Sequence, residues 1–407
     1  MATATKTYEY SVRDRTGKLT SGKLDAANET VLVTKLKAMG YAPVSVRESG
    51  GGINMEIALP WGKGVKLKDL AVMSRQFATM INSGLSLLRA LTILSEQTES
   101  KPLAKVLGEV RAEVETGQSL SASMAKHANV FPPLMVNMCR AGEVGGFLDA
   151  VLLQIAANYE AEVKLRNKVK SAMTYPVVVF VIAILAVVGM LLFIVPTFAA
   201  MFDSLGGELP APTKVLVFLS DAMVYVAPIS LVTGIVLTVV WQRIKHQDRV
   251  RNVVDPLMLK LPIFGGMIQK IALSRFSRNL GTMITSGVPI LQALDIVADT
   301  TGNMVLTKAV RDVQNSVRQG ESLAGPLANH KVFPAMVVQM LAVGEDTGAM
   351  DTMLHKISEF YDQEVEATTE ALTSLIEPLM IAVLGSIIGG MIIAMYMPIF
   401  GVFELIE

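Results

Sequence analysis

Ser83-Gly84-Leu85, followed by Gly117-Gln118-Ser119-Leu120, is met a second time as Ser286-Gly287-Val288 and Gly320-Glu321-Ser322-Leu323. Both pairs lie 203 positions apart, and His127 and His330 keep that spacing. Phe131-Pro132 and Phe333-Pro334 lie 202 apart, so one residue near Asn129 is missing from the second copy. The register then holds. Gly142-Glu143 returns as Gly344-Glu345, Gly146 as Gly348, Asp149 as Asp351, Tyr159 as Tyr361, Pro176 as Pro378 and Pro196 as Pro398. A period this long marks a duplicated domain rather than a solenoid of ~20–50-residue units.

Each copy ends in an apolar run. The first is uncharged between Lys170 and Asp203, the second copy's between Glu377 and Glu404, and an unduplicated run lies between Asp221 and Arg243. About 20 helical residues cross ~30 Å of hydrocarbon, so all three are expected to span a membrane. Lys164, Arg166, Lys168 and Lys170 precede the first span, and Arg243, Lys245, Arg249 and Arg251 follow the second. That basic bias marks the cytoplasmic side. The flank of the third span is acidic, with Asp362, Glu364, Glu366 and Glu370; acidic residues weigh little in orientation, so parity decides it. The opening MATATKTYEY has no apolar core suited to a signal peptide. The expected topology is a cytoplasmic N-terminus and an extracytoplasmic C-terminus, with almost everything outside the membrane cytoplasmic.

Of 407 residues 51% are hydrophobic, and 36 basic residues balance 36 acidic ones. Zero net charge removes any global case for nucleic-acid binding. The single cysteine, Cys139, excludes an intrachain disulfide and reads as a small buried hydrophobe. Outside the spans the copies read as helix: Leu70, Met73, Phe77, Met80 and Ile81 recur at helical spacing, as do Ile290, Leu291, Leu294 and Val297. Gly84, Gly287, Gly117 and Gly320 stand where left-handed caps end helices, and Pro132 and Pro334 mark turns into new helices, at a first helical position. Each copy is expected to be an antiparallel bundle whose last helix continues into the membrane, because no strong breaker separates Tyr159 from Tyr175 or Tyr361 from Leu375. Residues 1 to 50 differ: alternation around Tyr8, Tyr10 and Val12, a helical Thr30–Met39 stretch and Pro43-Val44-Ser45-Val46 predict strand, strand, helix, strand.

Catalytic signatures fail on inspection. Gly17 through Lys23 has phosphate-loop spacing, but Leu24 stands where a hydroxyl should bind Mg²⁺. Gly117-Gln118-Ser119-Leu120-Ser121 lacks the final glycine of a nucleophile elbow. The histidines at 127, 246, 330 and 355 are isolated, so no metal set is expected, with Glu143 and Asp149 the weak candidates. Glu377, in front of Pro378, reads either as an interfacial carboxylate on a helix N-terminus or as a contact for a partner helix or neighbouring protomer. Gly385 and Gly389 form a small-xxx-small face suited to self-association or to packing on the other spans.

With Arg75 through Ile81, Gly142-Glu143, Tyr175-Pro176 and Pro196 in the first copy, and Gly344-Glu345, Thr347-Gly348, Glu377-Pro378 and Pro398 in the second, the chain resembles the inner-membrane platform proteins of type IV pilus and type II secretion machines, the PilC/GspF family. It departs mildly, with Ser83 and Ser286 where alanine is expected, and Gly145 and Met350 where Ser or Thr and Leu are usual. The resemblance implies a non-enzymatic, cofactor-free homo-oligomer in the inner membrane, contacting cytoplasmic assembly and retraction ATPases, pilin or pseudopilin subunits and inner-membrane alignment proteins, with the pilus branch favoured over a secretion pseudopilus. The expected organisation is a mostly α membrane protein with a small α+β domain (1–50), linker (51–66), bundle 1 (67–172), span 1 (173–202), loop (203–214), span 2 (215–241), bundle 2 (242–374), span 3 (375–403) and tail (404–407). The N-terminal domain, with Lys18, Lys23, Lys35 and Lys37, is either a second contact surface for the motor or a cap on the first bundle. A secondary transporter is the rival from another class, disfavoured because the copies run in the same orientation with one span each.

Overall fold

In a computed structural model that describes residues 6–13, 19–26, 28–38, 40–48, 64–204, 209–245, 247–262 and 264–404, the chain divides into two units, Met1–Lys63 and Gly64–Glu407. Most of the expected linker, Gly17, Lys18, Glu208, His246 and residues 405–407 lie outside the described residues.

The first unit contains strands β1 (Lys6–Arg13) and β2 (Leu19–Ala26), helix α1 (Glu29–Ala38) and strand β3 (Ala42–Glu48). Its antiparallel sheet runs β2-β1-β3, and Leu32 and Leu36 of α1 bury against Ala26. Gly22 and Lys23, the end of the phosphate-loop look-alike, sit in β2 opposite Tyr10 and Glu9. A lysine that must open a helix is here in mid-strand, which removes the phosphate-loop reading. Asn28 accepts the Val31 N–H at 2.9 Å as a helix cap.

In the second unit the first copy comprises α2 (Leu67–Asn82), α3 (Leu87–Gln97), α4 (Lys101–Glu115), α5 (Leu120–Ala125), α6 (Pro133–Gly145) and α7 (Leu148–Gly189). A π-helical turn, Met190–Ile194, carries α7 into α8 (Val195–Ser204). Then α9 (Ala211–Ile244) and α10 (Asp248–Lys260) lead to the second copy: α11 (Phe264–Thr285), α12 (Ile290–Thr300), α13 (Met304–Arg318), α14 (Ala324–Ala328), α15 (Ala335–Thr347) and α16 (Met350–Glu404).

The helix ends follow from the sequence. Past α2, Gly84 adopts φ +85° and Leu85 N–H reaches Met80 O, while past α11 Gly287 adopts φ +70° and Val288 N–H reaches Met283 O. These are the same left-handed cap twice, at a φ that a side chain resists. The prolines differ from expectation. Pro132 and Pro334 are extended residues just outside α6 and α15, and Pro133 takes the first helical position; an extended cap before the first turn leaves the proline ring clear of any helical carbonyl.

The two bundles share one core. A continuous buried cluster joins Phe77, Leu91, Leu107, Phe131 and Ile155 of the first copy to Phe276, Leu294, Val310, Phe333 and Ile357 of the second. Each fully buried side chain of this size contributes about 1.5–3 kcal/mol. Among the described residues three helical stretches are long and apolar enough to span a membrane: Leu148–Asp203, Ala211–Ile244 and Met350–Pro398. The pair α10 and α11 has comparable composition, but Leu273, Phe276 and Leu280 of α11 are buried in the shared core. The last helix of each bundle therefore passes into its span without a break, as α7 and as the 55-residue α16.

Candidate functional site

The repeated motif residues assemble into a corner that occurs once per copy. In the first, Glu143 on α6 accepts the backbone N–H groups of Leu120 and, at 3.1 Å, Ser121 at the start of α5. In the second, Glu345 on α15 accepts Leu323 N–H at 2.9 Å and Ala324 N–H at 3.3 Å beside α14. A carboxylate there satisfies orphan donors and meets the positive helix end. Ser119 adds its own cap, accepting Ala122 N–H at 3.2 Å, and Ser322 does the same for Gly325. The elbow-like serine is thus a helix cap.

Gly142 and Gly344 explain the other half of the motif. A Cβ on Gly142 would lie 3.0 Å from the Leu148 Cα, and one on Gly344 3.1 Å from the Met350 Cα. The glycine lets α6 or α15 touch the start of the long helix while the glutamate next to it clamps the short one, so two residues fix three helices. Asp149, exposed in the first turn of α7, does not join Glu143, and among the described residues no three His, Cys, Asp or Glu gather as a metal set. Cys139 is fully buried, and burial pushes its thiol well above the usual range.

The long helices carry a second repeated device. Arg75 of α2 grips Glu160 of α7 through two hydrogen bonds of 2.7 and 2.5 Å, and this hydrogen bonding holds Glu160 below the usual carboxylate range. In the second copy Arg278 of α11 pairs with Asp362 of α16, which also accepts Ser274 Oγ at 2.5 Å. The seam between copies adds Asn158 to Asn279 at 3.1 Å and Arg275 to Glu162 at 3.1 Å. Lys270 meets Glu364 at 2.8 Å, and Lys168 pairs with Glu366. Asp362, Glu364 and Glu366 of the acidic flank are therefore answered by cations on α7 and α11, which periodicity along one segment does not reveal.

Within the spans, both late prolines leave a carbonyl that α9 satisfies. In α16 the helical partner of Ala394 O would be the N–H of residue 398, which Pro398 lacks; Thr213 Oγ1 donates instead, at 2.5 Å. In the π-helical turn Val195 N–H reaches Met190 O, a five-residue step. The same step from Leu191 leads to Pro196, and Leu191 O accepts Ser220 Oγ at 2.5 Å. Leu216 of α9 packs between these bonds against Leu191, Val195, Met391 and Met395. Of the earlier prolines, Pro176 lines a small cavity between α7 and α16 together with Tyr175 and Glu377, whereas Pro378 is exposed. Gly385 and Gly389 have no heavy atom within 4 Å of an added Cβ, so among the described residues no helix crosses closely over them.

Comparison with known proteins adds to this geometry. The model of the type II secretion system protein F family matches residues 73–196 and 276–398, and that of its N-terminal domain matches residues 1–47. The chain is 43% identical to the type IV pilus assembly protein PilC of Myxococcus xanthus over 98% of its own length and 95% of the relative's. To PilC of Thermus thermophilus the figure is 42%, over 97% of each chain. To the type II secretion system protein F of Vibrio cholerae it is 31%, over 96% of this chain and 97% of that one.

Proposed function

The chain belongs to the type II secretion system protein F family, a family of membrane platform proteins of pilus and secretion machines, and from that premise we propose that it is the non-enzymatic inner-membrane platform of a type IV pilus machine. In this reading it couples cytoplasmic hexameric ATPases to the insertion or removal of pilin subunits at the fibre base. It works as a homo-oligomer, with bundles and N-terminus in the cytoplasm and the C-terminus outside. The pilus branch is favoured because two relatives named for pilus assembly reach 43% and 42% identity, against 31% for the secretion protein F of Vibrio cholerae.

The observation that carries the reading is the continuity of α7 and α16 from the shared core into the spans. A turn or tilt imposed on the bundles reaches the membrane through two helices with no joint between. Flexible inserts test this, and their place matters: Tyr159 and Tyr361 are buried in the core, so an insert there would unfold the bundle. A Gly-Ser insert after Ser171 or Ser374, past the core, should abolish fibre assembly while the protein still co-purifies with its ATPase; normal assembly in both variants would defeat the coupling proposal.

A further inference from the structure

A groove of about 780 Å³ lies at the cytoplasmic end of the first span, between α7 and α11. Its upper part is cationic, with Arg166 and Lys170 one helical turn apart on α7 and Arg275 on α11. Its lower part is apolar, with Met173, Val177 and Val178 continuing the same stripe of α7. Other cations nearby are used within the protein, Lys168 by Glu366 and Lys270 by Glu364. Arg166 and Lys170 are exposed and, among the described residues, meet no carboxylate. Arg275 is already paired with Glu162, which also lines the groove, and its Nε is buried out of a ligand's reach, so Arg166 and Lys170 are the cations the groove offers.

We propose that this groove binds one anionic phospholipid of the cytoplasmic leaflet, its phosphate held by Arg166 and Lys170 and an acyl chain laid along Met173, Val177 and Val178. The dimensions agree. Eight residues separate Lys170 from Val178, about 12 Å of helix, within the ~15 Å depth of one hydrocarbon leaflet. A free phosphate would use the cations and leave the apolar floor idle. A lipid uses both, and basic juxtamembrane clefts attract anionic head groups by about fivefold in affinity per cation. The lipid would also cover an otherwise open wedge where the bundle meets the span, stiffening the junction that the proposed coupling relies on, although binding itself needs neither motor nor pilin.

The test is native mass spectrometry of the full chain released from neutral detergent with increasing phosphatidylglycerol or phosphatidylcholine. One phosphatidylglycerol should be retained in preference to phosphatidylcholine. The double variant Arg166→Gln/Lys170→Gln should lose about 25-fold in affinity for phosphatidylglycerol and none for phosphatidylcholine. Val178→Trp should also weaken retention, by filling the floor while every cation remains. The charge-matched variant Arg89→Gln/Lys101→Gln, on the first bundle, should behave as wild type. Equal weakening by the charge-matched variant, or wild type without preference, would reduce the site to bulk positive charge and overturn the proposal. Complete displacement by soluble glycerol phosphate would overturn the lipid assignment in favour of a phosphate site.

Discussion

Arg75–Glu160 and Arg278–Asp362 are one ion pair written twice, and the two copies of it sit in different surroundings. In the first copy the side chains are 41% and 44% exposed; in the second they are 9% and 32% exposed. The difference arises because α11 lies in the middle of the second unit, packed on both α16 and α7, whereas α2 faces solvent on its outer side. Duplication thus kept the chemistry and changed its setting. An exposed pair is worth little, because water competes for both ions; one with a shielded arginine costs more to break, because the carboxylate left behind recovers only part of its hydration.

The sharpest way to break the comparison is Arg278→Ala, which leaves Asp362 with Ser274 alone and should cost about 1–3 kcal/mol. Loss of helicity on titrating SDS into micelles would read it. Replacing both partners, Arg278→Met with Asp362→Leu, should recover most of that loss, since no unpaired charge then remains.

Next in size are the hydroxyl bonds from α9. Thr213→Val and Ser220→Ala each leave a proline-orphaned carbonyl bare, and each should cost about 0.6–1.7 kcal/mol in the same titration. Their effects should be less than additive, because losing either loosens the helix that carries the other. Full additivity would mean that α9 is held to α7 and α16 independently.

The smallest effect belongs to the exposed pair. Arg75→Ala should cost less than about 1 kcal/mol near pH 7. The folded protein holds Glu160 below its ordinary value, so the pair's contribution is complete above the usual carboxylate range and is lost as pH falls through the lowered value. Variant and wild type should accordingly converge as the medium is taken from about pH 7 to about pH 3. A gap that persists in acid would assign the role of Arg75 to packing of its stem.

The repeat, the spans and the capping glycines were legible in the sequence because each rests on local spacing: a period, an uncharged run, a glycine after an apolar stripe. The helical continuity through residues 159–175 was legible for the same reason, as the absence of a breaker. The Gly-Glu corner was visible as a motif but not as a mechanism, since its three helices meet only in space. The paired arginines could have been found from the repeat offset, which also carries Glu160 onto Asp362, yet read singly those acids are only an acidic flank to the third span. Thr213 and Ser220 gave no signal at all. Hydroxyls are ordinary in apolar helices, and only the prolines opposite make these two matter.

Those two hydroxyls stand seven residues apart on α9, close to two full turns and about 10 Å along its axis. They therefore share a face, and turning α9 by a single residue step, about 100°, carries both away from their carbonyls together. The middle helix is indexed like a key with two teeth: a rotation that withdraws one hydroxyl withdraws the other.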